Sequence, residues 1–320
     1  MHPARRQPAP LRLHRRPGLQ CRGCAGAWHA RHPVPRAGRR GRHHRAPAAR
    51  TPPGRRGRRV TPIRSLRSVA GAARGLEVAG VSDQGPVRAE NQDVWEAVEL
   101  PGGTGYALVL ADGMGGHAGG RDAAEAAVTG ATAILGKPGP AADRLDEAVA
   151  GANAAVAEVR DRLGGYPGTT LVLALIDGPN AVVANVGDSR AYRVRGSEVR
   201  ALTEDHSWVA EQVRAGLLEP ADVRHHQRRN VITRAVMGDP IVGDQFPVQL
   251  QPNDVLLLCS DGLWEPLDET SLGEFFSADA PLERILDWAC DAALAAGGTD
   301  NVTAVAARWL GRAAAPEAEA

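Results

Sequence analysis

Lysine is nearly missing from this chain, Lys137 being the only one, so its basic charge is carried by arginine. Asp and Glu are absent from residues 1–74, a stretch that holds 20 arginines and six of the ten histidines. No run approaches the ~18–20 consecutive apolar residues of a membrane-crossing helix, which excludes a helical span. An apolar h-region is also lacking in the basic leader, so no secretory signal is expected there. Cysteine is sparse at four residues. Cys259 and Cys290 lie in apolar contexts and read as ordinary buried thiols, so nothing asks for disulfides and a cytoplasmic setting is expected. Cys21-x-x-Cys24, followed by His29 and His32, has a spacing that fits no standard zinc finger.

What is present falls into two parts. The chain has 38 Lys+Arg and 37 Asp+Glu. With 20 of the bases and none of the acids in residues 1–74, the other 246 residues carry 18 bases against 37 acids, a net of −19. The basic leader has no hydrophobic periodicity and too few large apolar residues for a core, so it is expected to be disordered. It has equally the composition of a GC-rich reading frame translated upstream of its true start, which would put the functional start within residues 60–76. A basic tail attracts phosphate backbones in general, but the aromatic interleaving that specific nucleic-acid binding needs is missing. Residues 75–310 are long enough for one sizeable domain, and 311–320 form a short Ala-rich tail.

Within that domain, short runs rich in Val, Leu and Ala predict strands over Glu77–Val81, Tyr106–Ala111, Thr169–Ile176, Ala181–Val186, Ala191–Val194, Val199–Leu202, Val255–Ser260 and Val302–Trp309. Alanine-rich segments predict helices over Gly119–Leu135, Ala141–Leu163 and Leu282–Ala296. Asp177-Gly178-Pro179-Asn180 reads as a hairpin turn. Strands joined by hairpins, with helices grouped between them, argue for an antiparallel α+β sandwich over a doubly wound parallel fold.

Four of these segments share a feature. Asp112, Asp188 and Asp261 each end an apolar strand, and Asp300 precedes the last one. Asp-Gly and Asp-Asn are common turn formers. Four strand-end carboxylates, however, are expected to converge, and their repulsion then calls for a cation. Asp112 opens a glycine-dense strand-to-helix loop, Asp112-Gly113-Met114-Gly115-Gly116-His117. That loop lacks the lysine of a P-loop and the spacing of a dinucleotide fold. Carboxylates with exposed carbonyls suit Mg²⁺ or Mn²⁺.

Several motifs stand in order along residues 76–310. They are Ser82-Asp83-x-Gly85-x-x-Arg88-x-x-Asn91-Gln92-Asp93, the Asp112 loop, Gly168-Thr169-Thr170 and Asn185-Val186-Gly187-Asp188-Ser189-Arg190-Ala191-Tyr192. Further on come Leu202 to Ser207, Asn230 to Ala235, Ser260-Asp261-Gly262-Leu263-Trp264 and Gly298-Thr299-Asp300-Asn301-Val302-Thr303. In this order they resemble the metal-dependent protein phosphatases of the type 2C serine/threonine class, in its compact bacterial form.

The resemblance implies an α+β fold, a four-layer α/β/β/α sandwich of two mainly antiparallel sheets flanked by helices. It also implies two Mn²⁺ or Mg²⁺ ions, with a third, weaker one near Asp188 and Asp261. Asp112 would bridge the pair, the Gly113 carbonyl would bind the second ion, and Asp261 and Asp300 would complete the first. Asp93 would hold metal-bound water, and Arg88 would clamp the substrate phosphate. A flap over about 205–234 would face incoming phosphoprotein, with Ser207 to Arg234 contributing to substrate binding. The proton donor for the leaving oxygen is left open between His117 and a metal-bound water, since Met114 stands where many eukaryotic members carry a histidine. Gln92 likewise replaces a glutamate common in those members. His206 reads as a structural residue of the flap. The implied partners are phosphorylated proteins and an opposing Ser/Thr kinase. The alternative is a catalytically weak phosphatase-like regulatory or binding domain.

Overall fold

The computed structural model describes residues 64–68, 75–114 and 119–311. The expectations for most of the leader, for Cys21 and Cys24, for His117 and for 312–320 lie outside the described residues. In chain order the elements are β1 (Arg64–Ser68), β2 (Leu76–Asp83), β3 (Asp93–Glu99), β4 (Gly105–Met114), α1 (Gly120–Leu135) and α2 (Ala141–Leu163). There follow β5 (Gly168–Thr169), β6 (Leu171–Asp177), β7 (Asn180–Val186), β8 (Arg190–Arg195), β9 (Glu198–Ala201) and α3 (Trp208–Arg214). The chain then runs through β10 (Asp244–Gln249), β11 (Val255–Cys259), α4 (Asp261–Trp264), α5 (Glu269–Phe276), α6 (Leu282–Ala295) and β12 (Val302–Trp309).

Two antiparallel sheets form, ordered β1-β2-β12-β11-β8-β9 and β10-β7-β6-β4-β3, with β5 added beside β4. Central strands such as β6 and β11 are apolar on both faces and buried on both, as a strand covered on each side must be. Leu108, Leu110, Val172, Leu256, Leu258 and Val305 pack between the sheets. α1 and α2 cover the outer face of the second sheet, where Ala123, Ala127 and Ala131 of α1 meet Val109 and Leu173. α5 and α6 cover the outer face of the first through Leu272, Phe276, Ile285, Leu286 and Ala289. The α/β/β/α sandwich implied by the resemblance is the fold observed. Small residues let its two longest helices approach closely: a Cβ on Gly130 of α1 would lie 2.6 Å from the Gly151 carbonyl of α2.

The differences from the sequence reading have local causes. Residues 64–68 were expected in the leader, yet they pair with β2 in register Arg64↔Asp83 to Ser68↔Ala79. β1 carries no hydrophobic signal because polar contacts hold it, Arg64 to Asp83, Asp287 and Asp291, and Arg67 to Glu96. The strand expected over Thr169–Ile176 is divided at Thr170, whose backbone N–H turns to the Asp112 carbonyl. β3 and β10 were not expected; both are sheet edges with polar faces, and β10 accommodates Pro247 there.

Candidate metal centre and active site

Strand ends bring the expected aspartates to one end of the sandwich. Asp93, at the start of β3, lies directly opposite Asp112 near the end of β4. Asp188 follows β7, Asp261 begins α4 immediately after β11, and Asp300 precedes β12. Asp93 and Asp188 are buried, while Asp112, Asp261 and Asp300 keep part of their surface in solvent.

Hydroxyls and backbone bonds hold the segments that carry these aspartates. The Ser260 hydroxyl donates to Asp93 Oδ2 at 2.8 Å. Thr170 receives the Asp112 N–H on its hydroxyl at 3.0 Å, and the Thr169 hydroxyl donates to the Asp112 carbonyl at 2.9 Å. Thr170 in turn meets the Ser189 hydroxyl at 2.7 Å, linking this cradle to the turn after Asp188. Asp188 is fixed from the other side by Trp264 Nε1, which donates to its carbonyl at 3.0 Å. Asn301 accepts the Gln92 N–H and donates to the Gln84 and Glu90 carbonyls, so it ties the Asp300 loop to the loop before β3. Gly113 donates its N–H to the Gln92 carbonyl, and a Cβ there would come within 2.3 Å of the Gly120 carbonyl. Only glycine lets β4 pass there.

The electrostatics are those of crowded like charges. Burial, then the Asp93, Asp261, Asp188 and Asp300 carboxylates, push the Asp112 pKa well above the usual range. Burial, with Asp188, Asp300 and Asp93 behind it, does the same to Asp261. Asp93 is raised to about 6, chiefly by burial and against the opposing hydrogen bonds of Ser260 and Thr303. Asp188 rises to about 7, by burial and then Asp205. Arg88 counters this charge: its Nη2 donates to Asp300 Oδ2 at 2.5 Å, and its pKa is raised by that bond.

The donor set fits a hard divalent cation. Buried Asp261 Oδ1 has no hydrogen-bond partner among the described residues, and among those residues neither His nor Cys joins this carboxylate group. Among the described residues no three acidic, His or Cys side chains stand close enough together to hold an ion by themselves. Mg²⁺-type ions bind through few carboxylates and retain several waters, so an open set of this kind suits them. A separate cavity of about 390 Å³, lined by Asp93, Asn91, Ser82, Trp95 and Arg121 among others, lies behind Asp93 and does not include Asp112, Asp261 or Asp300.

His206 takes the structural place expected of it. Its Nδ1 accepts the Gly187 N–H at 3.0 Å, and its Nε2 contacts Asp244 at 3.0 Å. The segment expected as a flap begins and ends on itself: Ser207 bridges Ile232, and the Thr233 N–H donates to the His206 carbonyl. Sequence reasoning missed Ser260 and Thr170 as positioning residues, and Glu265, whose charge adds to that on Asp261 and Asp188. Ser260 and Thr170 belong to the motifs Ser260-Asp261-Gly262 and Gly168-Thr169-Thr170, which was their signal, although no role was read for either.

A four-layer sandwich with a carboxylate cluster at one end and a guanidinium beside it defines a class, the metal-dependent phosphatases. A family model described as protein phosphatase 2C matches residues 87–295. The serine/threonine phosphatase Stp of Listeria monocytogenes is 35% identical over 232 residues, covering 69% of this chain and 91% of the relative. The crystal structure of the Mycobacterium tuberculosis serine/threonine phosphatase PstP superposes with a TM-score of 0.67 at 33% identity, over 73% of this chain and 98% of that one. A PstP catalytic domain in complex with two manganese ions gives 0.65 at 33% identity, over 73% and 97%. The chain therefore belongs to the protein phosphatase 2C family, and it is a protein serine/threonine phosphatase.

Among the described residues no helix is long and apolar enough to cross a membrane.

Proposed function

We propose that this phosphatase removes phosphate from phosphoserine and phosphothreonine with two Mn²⁺ or Mg²⁺ ions, and that it reverses Ser/Thr kinase signalling in the cytoplasm. The observation that carries the reading is the set of aspartates from five chain segments that repel one another at one end of the sandwich, with Arg88 beside them. Asp112 would be shared by both ions, with the Gly113 carbonyl, Asp261 and Asp300 as further ligands. Asp93 would act through water, and Asp188 with Asp261 would hold a third ion. Bound there, divalent ions would acidify a water and neutralise phosphoryl oxygens.

The chain's own residues do the rest. Arg88 spends one N–H on Asp300, and its remaining N–H groups form the planar fork that binds phosphate oxygens. The Ser260 and Thr170 hydroxyls hold Asp93 and the Asp112 backbone in place, so little reorganisation accompanies substrate entry. The alternative of a catalytically weak binding domain would be expected to lack a metal aspartate, and Asp112, Asp261 and Asp300 are all present.

The test is hydrolysis of p-nitrophenyl phosphate and of phosphothreonine peptides. Activity should require Mn²⁺ or Mg²⁺ and vanish with EDTA or Asp112→Ala. Full turnover in EDTA would sink the two-ion reading.

A further inference from the structure

A basic run interrupts an acidic domain at Arg224-His225-His226-Gln227-Arg228-Arg229, with no acid among its six residues. Its first two residues close the short 3₁₀ turn Pro220–His225. The run does not float free. Arg224 Nη1 donates to the Glu265 carbonyl at 3.1 Å, and Arg229 Nε donates to Glu265 Oε1 at 2.7 Å. Glu265 lies one helical turn after Asp261, and its N–H bonds the Asp261 carbonyl. Both ends of the run are therefore clasped beside a carboxylate of the catalytic cluster.

Between the clasps is a pocket of about 630 Å³ lined by Trp208, His225, His226, Gln227 and Arg228. Its walls are ordered by stacking. The His226 ring lies on Trp208 with centroids 4.9 Å apart and planes at 28°, and the Arg228 guanidinium sits 5.0 Å from the Trp208 ring centroid. His226 Nδ1 accepts the Arg228 N–H at 3.1 Å, so the neutral ring carries its proton on Nε2 and is a donor there. Among the described residues Arg228 pairs with no carboxylate, whereas Arg229 next to it does. The pocket thus offers the donors of His226, Arg228, Gln227 and His225, with no acid in its lining. A phosphate, with its double charge and strong acceptor oxygens, is the anion that such a donor set fits.

We propose that this pocket is a second phosphate subsite, and that the enzyme prefers substrates carrying another phosphorylated residue near the scissile one. The proposal rests on the phosphatase reading above and adds a substrate class to it. The second phosphate stays intact and serves as an anchor; only the residue at the aspartate cluster is hydrolysed. A multiply phosphorylated kinase segment has this chemistry.

The experiment compares kcat/KM on three matched peptides in Mn²⁺. One carries a single phosphothreonine, one adds a second phosphothreonine a few residues away (tested at successive positions on both sides), and one has glutamate in place of the second. Wild type should favour the doubly phosphorylated peptide at one spacing by roughly tenfold, through KM, as expected of charge-assisted hydrogen bonds. In Arg228→Ala and in His226→Ala the ratio between doubly and singly phosphorylated peptides should fall toward one, and Arg228→Lys should restore part of it. Equal rates on all three wild-type reactions would overturn the proposal while leaving the phosphatase reading intact. An equal preference for the glutamate peptide would overturn the phosphate assignment, and so would a ratio unchanged in both alanine variants. No hydrolysis of any peptide or of p-nitrophenyl phosphate would overturn both readings. Because the variants are judged by a ratio measured on one preparation, partial unfolding does not imitate the result.

Discussion

At the scale of single residues, the site is built from groups whose neighbours decide their value. Arg88 is exposed, but its bond to Asp300 orients the guanidinium toward the cluster. A lysine would keep the charge and lose the planar fork. Arg88→Lys is therefore expected to lower kcat/KM on p-nitrophenyl phosphate by about tenfold or more, mostly through KM, and steady-state kinetics at saturating Mn²⁺ reads it. His117 offers a second residue-scale test. A general acid must be protonated to act, so its loss removes the alkaline limb of the kcat profile. If His117→Ala leaves that limb unchanged, His117 is not the general acid and a metal-bound water is left as the proton donor. The strand-end aspartates were legible because an acid closing an apolar run stands out from its surroundings. Ser260 and Thr170 were not, since a hydroxyl beside a turn looks the same whether it holds a carboxylate or faces water.

At the scale of elements, legibility followed burial. β6, β7, β11 and β12 lie inside their sheets and read clearly from their apolar runs. β1, β3 and β10 are edges, and polar side chains blur their period. β1 is the extreme case, an arginine and serine strand with four exposed residues out of five. Its anchor is Arg64, which reaches Asp83 at 2.8 Å, and that carboxylate is fully buried. Asp83 also accepts the Gly85 N–H at 2.7 Å, at the turn leading to Arg88. Removing one partner of a buried pair leaves the other charge uncompensated, at a cost of about 3 kcal/mol. Arg64→Met should lower stability by about that amount in urea unfolding, and Asp83→Asn added to it should recover part. Additive losses in the double variant would show that the pair does not hold β1.

At the scale of the whole molecule, the aspartate cluster sets one end of the sandwich against its own stability. The raised pKa values mean that the native state binds more protons than the unfolded chain, from the ordinary carboxylate range near pH 4 up to about 6 for Asp93 and about 7 for Asp188. Stability from these groups therefore falls as pH rises through that window. His206 pulls the other way. Burial lowers its pKa, so the unfolded chain takes up its proton first and stability falls with acid. The two effects are separated by comparing wild type with Asp112→Asn, which relieves the carboxylate crowding and keeps His206. Without metal, wild type should lose about 5 °C more of Tm than the variant between pH 5 and pH 8, taking roughly 2–4 °C per kcal/mol for a domain of this size. Saturating Mn²⁺ should cancel that excess loss, because cation binding to ionised carboxylates strengthens as their protons leave. Melting curves at both pH values, with Mn²⁺ and with EDTA, make the measurement. A metal-induced rise in Tm that is equal at pH 5 and pH 8 would show that the ion does not compete with protons for this cluster, and would place the binding carboxylates elsewhere.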